Sequence, residues 1–235
     1  MSTQPNSENI RWGVANKVVV EVLRKPIKVI GKLSAAAITR NRQNQTSKYY
    51  SPFQILREEN AYYLIKMVDE TFGWVKKNDV KPLKTADYWK GMQYFLKGKT
   101  VETPPPSAQK LKKILNSQKN IPYIWGGNTE KGMDCSAFTQ GIFLMLLGRL
   151  LPRNSRSQKQ FGIAAKNGEF CLLDLLFFTH KKTGKSHVGI WFAEEVWHFC
   201  LDSQGLTHES FAEIKKRYRY LTARRLFHSP TRKKC

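Results

Sequence analysis

The chain has 235 residues, a formal net charge of +22 and a pI near 10.0, and at that length it can bury one large core or two small ones. Its Lys and Arg are shared between 18 in residues 1–107 and 22 in residues 108–235, so no single basic stripe interleaved with aromatics marks a base-stacking surface. Nucleic acid is therefore not expected as the primary partner, and the absence of any apolar run near the roughly 20 residues of a bilayer span argues against a membrane one.

The opening stretch, Met1-Ser-Thr-Gln-Pro-Asn-Ser-Glu8, lacks the basic head and apolar core of a Sec-type signal. A soluble, cytoplasmic protein is expected, with non-classical secretion open. The charge leaves affinity for anionic polymers as a secondary property. Cys135, Cys171, Cys200 and Cys235 form no CxxC pair, which fits reduced thiols. A zinc site built from Cys135, His187, His198 and Cys200 would lack the short paired spacings of structural zinc, so neither metal nor cofactor is expected.

In chain order, Val18–Leu23, Lys28-Val-Ile, Phe53–Leu56, Tyr62–Val68 and Gly73-Trp-Val read as short strands between polar turns, which predicts a small β barrel over residues 12–82. Residues 83–107 read as a Pro-rich linker ending in Thr103-Pro-Pro-Pro-Ser107, stiffly extended because proline cannot continue a helix or a central strand. The second domain is expected over residues 108–235. Ser107 should cap a helix carrying Leu111, Ile114 and Leu115 on one face. A second helix should open at Met133 or Asp134 and be buried nearly all round. An apolar strand at Leu172–Phe178 and a hairpin of His187–Phe192 with Val196–Cys200 complete an α+β domain, a helix bundle packed on an antiparallel sheet.

The chemistry concentrates in three places. Cys135 falls at the start of the buried helix, where free backbone N–H groups stabilise a thiolate. Strand alternation puts His187, Gly189 and Trp191 on one face. If Ala193-Glu194 is a two-residue loop, Phe192 pairs with Glu195 and Gly189 with His198, which makes His198 the diagonal neighbour of His187 over a glycine. Ala-Glu is a poor sequence for such a turn. A lone cysteine at a helix start is ordinarily a buried small hydrophobe; combined with two histidines on one hairpin, it reads as the nucleophile, base and orienting group of a thiol peptidase. His180, His208 and His228 lack that context and are expected at the surface, and Cys171 and Cys200 are expected in the core.

The stretch Tyr123-Ile-Trp-Gly-Gly, then Asp134-Cys-Ser, then His187-Val-Gly-Ile and His198 resembles the NlpC-type papain-like cysteine peptidases of bacterial cell-wall metabolism. The resemblance implies Cys135 as nucleophile, His187 as general base and His198 as the polar residue orienting it, with Tyr123, Trp125, Asp134 and Ser136 in the substrate cleft. Leu151-Pro-Arg-Asn-Ser155 is similar to a family loop that would let Arg153 and Ser155 position substrate. Residues 59–80 resemble the end of a bacterial SH3-like domain, and that domain arrangement is similar to the γ-D-glutamyl-L-diamino acid endopeptidases. It implies a murein peptide hydrolase acting on recycled muropeptides with a free N-terminal L-Ala. Departures are Ala137 and Leu173 where the family carries Gly, both expected to be packing changes, Asn154 where it carries Asp, and Thr71 where a Tyr can precede Gly-Trp, for which Tyr62 or Tyr50 could compensate. Rival readings are a cationic, toxin-like binder of anionic polymers and an amidase or acyltransferase on the same fold.

Overall fold

The computed structural model describes residues 11–15, 20–24, 26, 42–46, 53–67, 69, 71–83, 93–94, 97–103 and 106–228, and the chain divides into two compact units, Met1–Gly91 and Met92–Cys235. In the first unit, strands β1 (Arg11–Ala15), β2 (Val20–Leu23), β3 (Arg42–Thr46), β4 (Phe53–Glu59), β5 (Tyr62–Lys66), β6 (Phe72–Lys76) and β7 (Val80–Leu83) form one sheet in the order β3-β2-β6-β5-β4-β1-β7. Its buried residues alternate along the strands, as Val20 and Val22 or Phe53 and Ile55 do, and they assemble one core with Ile65, Met67, Val75 and Val80. Lys28-Val-Ile lies outside the described residues. The polar strand β3 carries no apolar alternation, so its sequence does not announce it.

The second unit begins inside the stretch expected to be a linker. Strand β8 (Gln93–Tyr94) pairs in parallel with Arg149–Leu150, and β9 (Val101–Glu102) pairs in parallel with Phe227–His228. Part of 83–107 is thus tied to the second unit through backbone hydrogen bonds, such as that from Val101 N–H to the Leu226 carbonyl. Helix α1 (Ala108–Gln118) is capped by Ser107, whose Oγ accepts from Lys110 N–H at 3.3 Å, and it buries Leu111 and Leu115.

After the short hairpin β10 (Asn128–Thr129) and β11 (Gly132–Met133) comes α2 (Cys135–Leu147), closed by the left-handed Gly148. Then follow β12 (Arg149–Leu150), α3 (Ser155–Gln158), β13 (Ile163–Ala165), β14 (Leu175–His180), β15 (Ser186–Phe192), β16 (Glu195–Cys200), β17 (Gly205–Glu209), α4 (Phe211–Arg217), β18 (Tyr218–Arg225) and β19 (Phe227–His228). The main sheet runs β13-β18-β14-β15-β16-β17 with all neighbours antiparallel. One apolar cluster joins α1 and α2 to Leu175, Phe177, Val188, Ile190 and Phe199. A second joins Leu176, Phe178 and Val196 to Ile214 of α4 and Tyr218 and Ala223 of β18. Because successive strand residues point to opposite faces, both faces of this sheet are covered, as an α+β architecture requires.

Two expectations need correction here. Cys171 is disulfide-bonded rather than a reduced core thiol, whereas Cys135 and Cys200 are free and buried. Leu173, expected as a mere packing change, has φ +64 and is fully buried. A glycine suits that left-handed position because it has no Cβ to strain, so the departure falls on the backbone.

Candidate active site

The Tyr123-to-Asp134 segment folds back on itself so tightly that side chains are excluded: a Cβ on Gly127 would lie 2.5 Å from the Gly132 carbonyl oxygen. That close approach delivers Asp134 to the head of α2 as its N-cap. Its Oδ1 accepts from Ser136 N–H at 3.1 Å, Ala137 N–H at 2.8 Å and Ser136 Oγ–H at 3.0 Å, while Oδ2 accepts from Gly126 N–H at 3.0 Å. Arg153 closes the network. Its Nη1 and Nη2 each reach one Asp134 oxygen at 2.9 Å, Nη1 also donates to Ser136 Oγ at 3.0 Å, and Nη2 donates to the Gly127 carbonyl at 2.9 Å.

Asp134, Ser136 and Arg153 are all buried. They were expected to line the substrate cleft; the structure instead directs their polar atoms at one another and at the backbone that holds Cys135. The sequence motif names the right residues without telling which way they face. Ser155 is buried too, its Oγ–H bonded to Ser186 Oγ at 3.1 Å beside the first residue pair of β15. Asn154 caps α3 by accepting from Ser157 N–H at 2.9 Å, a task its amide oxygen performs as an aspartate would.

The hairpin β15–β16 has the register that a two-residue loop dictates, with Phe192 opposite Glu195, Trp191 opposite Val196 and Ile190 opposite Trp197. A Cβ on Gly189 would meet His198 Cβ at 3.2 Å, so glycine leaves the room in which the two imidazoles meet. His187 Nε2 and His198 Nδ1 are 2.9 Å apart with rings nearly perpendicular. The described ladder between β15 and β16 stops at Ile190–Trp197, and the backbone N–H of Val188, next to His187, favours the ionised form of the Cys135 sulfur.

Two neighbours of the dyad were not legible in the sequence. Tyr218 stacks on His187 with ring centroids 4.7 Å apart. Glu209 Oε1 lies 2.9 Å from His198 Nε2 and 2.6 Å from Arg217 Nη2. Glu209 sits opposite Val196 while His198 sits opposite Thr207, so it is the diagonal neighbour of His198, as His198 is of His187. Alternation over Gly205–Glu209 could have shown this had the register across loop 201–204 been known.

Burial governs the electrostatics. It pushes the Cys135 thiol up from 9.0 to about 12, the Asp134 carboxylate adding to the rise against the opposing Val188 N–H, Arg153 charge and Ser136 N–H. Burial, then the His198 ring and the Arg217 charge, hold His187 well below its ordinary 6.5. Neither a lone thiolate nor a lone imidazolium is favoured, so a charge on one group calls for the opposite charge on the other as the proton moves. Tyr123 is half-buried, and desolvation, with smaller contributions from Cys135 and the Asp134 carboxylate, raises its phenol above the ordinary value. Trp125 is exposed, with Lys185 Nζ 5.1 Å from its ring centroid. Tyr62 is buried with Leu23 and Trp74, Thr71 donates its N–H to Asp69, and Tyr50 lies outside the described residues. No cluster of three or more His, Cys, Asp or Glu able to hold a metal occurs among the described residues.

Residues 120–228 match the model of the NlpC/P60 family. A murein DD-endopeptidase MepS/murein LD-carboxypeptidase of Escherichia coli K12 is 34% identical over 108 residues, which are 46% of this chain and 57% of that protein. A gamma-D-glutamyl-L-lysine dipeptidyl-peptidase of Bacillus cereus is 28% identical over 140 residues, 60% of this chain and 37% of that one. The chain thus spans little more than half of the first relative and a smaller share of the second. Among solved structures, a novel NlpC/P60 endopeptidase from Photobacterium damselae subsp. piscicida superposes with a TM-score of 0.58 at 13% identity, over 90% of this chain and 70% of that one, a likeness of fold alone.

Proposed function

We propose, from the premise that residues 120–228 are an NlpC/P60 domain, that this chain is a cysteine peptidase cleaving the bond between D-Glu, through its γ-carboxyl, and a diamino acid in murein stem peptides. The observation that carries the reading is the buried Cys135 thiol at a helix start together with the hydrogen-bonded His187–His198 pair of the neighbouring hairpin. His187 takes the thiol proton as sulfur attacks the γ-carbonyl carbon. The developing oxyanion is stabilised by the backbone N–H of Cys135 at the head of the helix, those of Ser136 and Ala137 being held by the Asp134 carboxylate. His187 then gives the proton to the leaving amine of the diamino acid, and an acyl-enzyme remains on Cys135. Water, losing its proton to His187, releases the D-Glu carboxylate, and the thiol is restored.

The E. coli relative supports murein as the substrate class, and the B. cereus relative supports the γ-D-glutamyl bond. We read residues 12–82 as an SH3-like module, on the strength of its short, hairpin-connected strands. A free N-terminal L-Ala would be selected by polar groups that its ammonium alone can satisfy. Incubation with L-Ala-γ-D-Glu-diaminopimelate should release L-Ala-D-Glu and free diaminopimelate, resolved by mass spectrometry, and Cys135→Ala should release neither. Cleavage of D-Ala-diaminopimelate cross-links alone would overturn the bond assignment. No cleavage of any murein peptide would overturn the peptidase reading.

A further inference from the structure

The chain of contacts does not end at the second histidine. Glu209 Oε1 receives His198 Nε2 at 2.9 Å and Arg217 Nη2 at 2.6 Å, and Arg217 Nε lies 3.5 Å from Asp202 Oδ2. His198 is fully buried, Glu209 is 14% exposed and Arg217 41%, so the chain runs from the interior to a charged surface.

We infer, resting on the roles just given to Cys135, His187 and His198, that Glu209 is a positioning residue that selects the tautomers of both histidines, and that Arg217 holds it for that purpose. An ionised carboxylate only accepts hydrogen bonds, so His198 must carry its proton on Nε2. Its Nδ1 then offers a lone pair to His187 Nε2, which must be the protonated nitrogen of that ring. His187 Nδ1 is left bare, the one ring atom outside the dyad bond and able to receive the thiol proton. In the opposite arrangement His198 Nδ1–H would donate to His187 Nε2, and the proton on His187 Nδ1 would occupy the site the thiol needs. Nothing within two neutral imidazoles decides between the arrangements; the carboxylate does. Burial opposes its charge, and the hydrogen bonds from His198 and Arg217 outweigh that and hold Glu209 below the usual carboxylate range. When His187 becomes imidazolium, the charge lies one ring from a fixed anion.

The test compares wild type with Glu209→Gln, which keeps an acceptor oxygen for both donors but no charge, and Glu209→Ala, which removes both. Nitrogen-15 NMR of the histidine side chains at one neutral pH should show His187 and His198 both protonated at Nε2 in wild type and in Glu209→Gln, and mixed Nδ1 and Nε2 protonation in Glu209→Ala. With a murein peptide, kcat should fall about 10-fold in Glu209→Gln and about 100-fold in Glu209→Ala with KM little changed, since a lost orienting partner spoils the base and not binding. The rate of Cys135 alkylation by iodoacetamide, read on its own peptide, should fall in the same order. Unchanged tautomers and alkylation in a folded Glu209→Ala would overturn the inference and reduce Glu209 to a partner of Arg217. NMR and alkylation need no substrate, so a protein inert to murein would sink the proposed function while the tautomers and alkylation rates still decide the role of Glu209.

Discussion

Two polar networks meet near the same sulfur, and they handle charge in opposite ways. Around Asp134 the network turns inward among the described residues: a buried carboxylate, a buried guanidinium and five backbone or hydroxyl partners bond one another. Along the hairpin the network is open: a buried histidine pair leads outward to Glu209 and Arg217. A closed ionic loop is costly to disturb and suits holding a helix end still, whereas a linear chain with a tautomeric choice suits moving a proton. The contrast separates residues that build the site from those that operate it, with polar residues of the sequence motif falling on both sides.

The largest effect should come from the open network. His187→Gln preserves volume and one hydrogen bond but has no base, and kcat on a murein peptide should fall by about 10⁴-fold, as when an orienting or basic group of a triad is disabled. Unfolding by urea should be nearly unchanged. Equal losses of stability and activity would mean that the hairpin is structural as well.

In the closed network the pattern should invert. Arg153→Met leaves Asp134 charged and without its bidentate partner, and removing one member of a buried pair costs about 3–5 kcal/mol, read as a drop in urea midpoint. Arg153→Lys should recover only part of this, because an ammonium cannot bridge both oxygens. If Arg153→Met instead raised KM with stability intact, Arg153 would belong to the substrate cleft after all.

Those two outcomes for Arg153 mark the edge of what was legible in the sequence. The hairpin was readable because strand period and a two-residue loop together leave a single register, so His198 followed from His187 by counting. The helix start was readable to within a residue or two, its opening expected at Met133 or Asp134 and found at Cys135 with Asp134 as the cap. Arg153 was nameable but not orientable, since a motif records residue types and not which wall of a pocket they face. Glu209 was hidden because the loop 201–204 leaves the β17 register free, and Tyr218 because its basic neighbourhood masks an interior strand whose Arg219 points outward. Two-residue pairings such as β8 with β12 carry no periodicity and cannot be foreseen.

The two buried groups at the reaction centre should also bound stability against pH. His187 is held below 6.5 in the folded chain, so below that pH the unfolded chain binds the extra proton and stability falls as pH drops. Cys135 is raised from 9.0 to about 12; between those values the unfolded thiol ionises first and stability falls as pH rises. Each limb should approach about 1.4 kcal/mol per pH unit for one proton. His187→Gln should flatten the acid limb by that proton and Cys135→Ser the alkaline limb, measured by urea titrations across pH. A limb that survives its substitution would assign the proton elsewhere.

The smallest predicted effect tests the element that sets the geometry. Ala193 and Glu194 both occupy left-handed backbone, φ +53 and +62, the conformation a two-residue hairpin loop demands and which Asn-Gly adopts more readily. Each residue with a Cβ is strained there by about 1 kcal/mol or more. The double substitution Ala193→Asn with Glu194→Gly should therefore stabilise the chain by roughly 1 kcal/mol, allowing for the added freedom of glycine in the unfolded state. Activity should be unchanged, because Phe192 remains opposite Glu195 and the histidines keep their diagonal. A fall in kcat with this stabilisation would show that turn strain itself tunes the His187–His198 contact. Loss of stability would mean that the register is held by the strands against the turn, through Gly189 and the buried Val196 beside it.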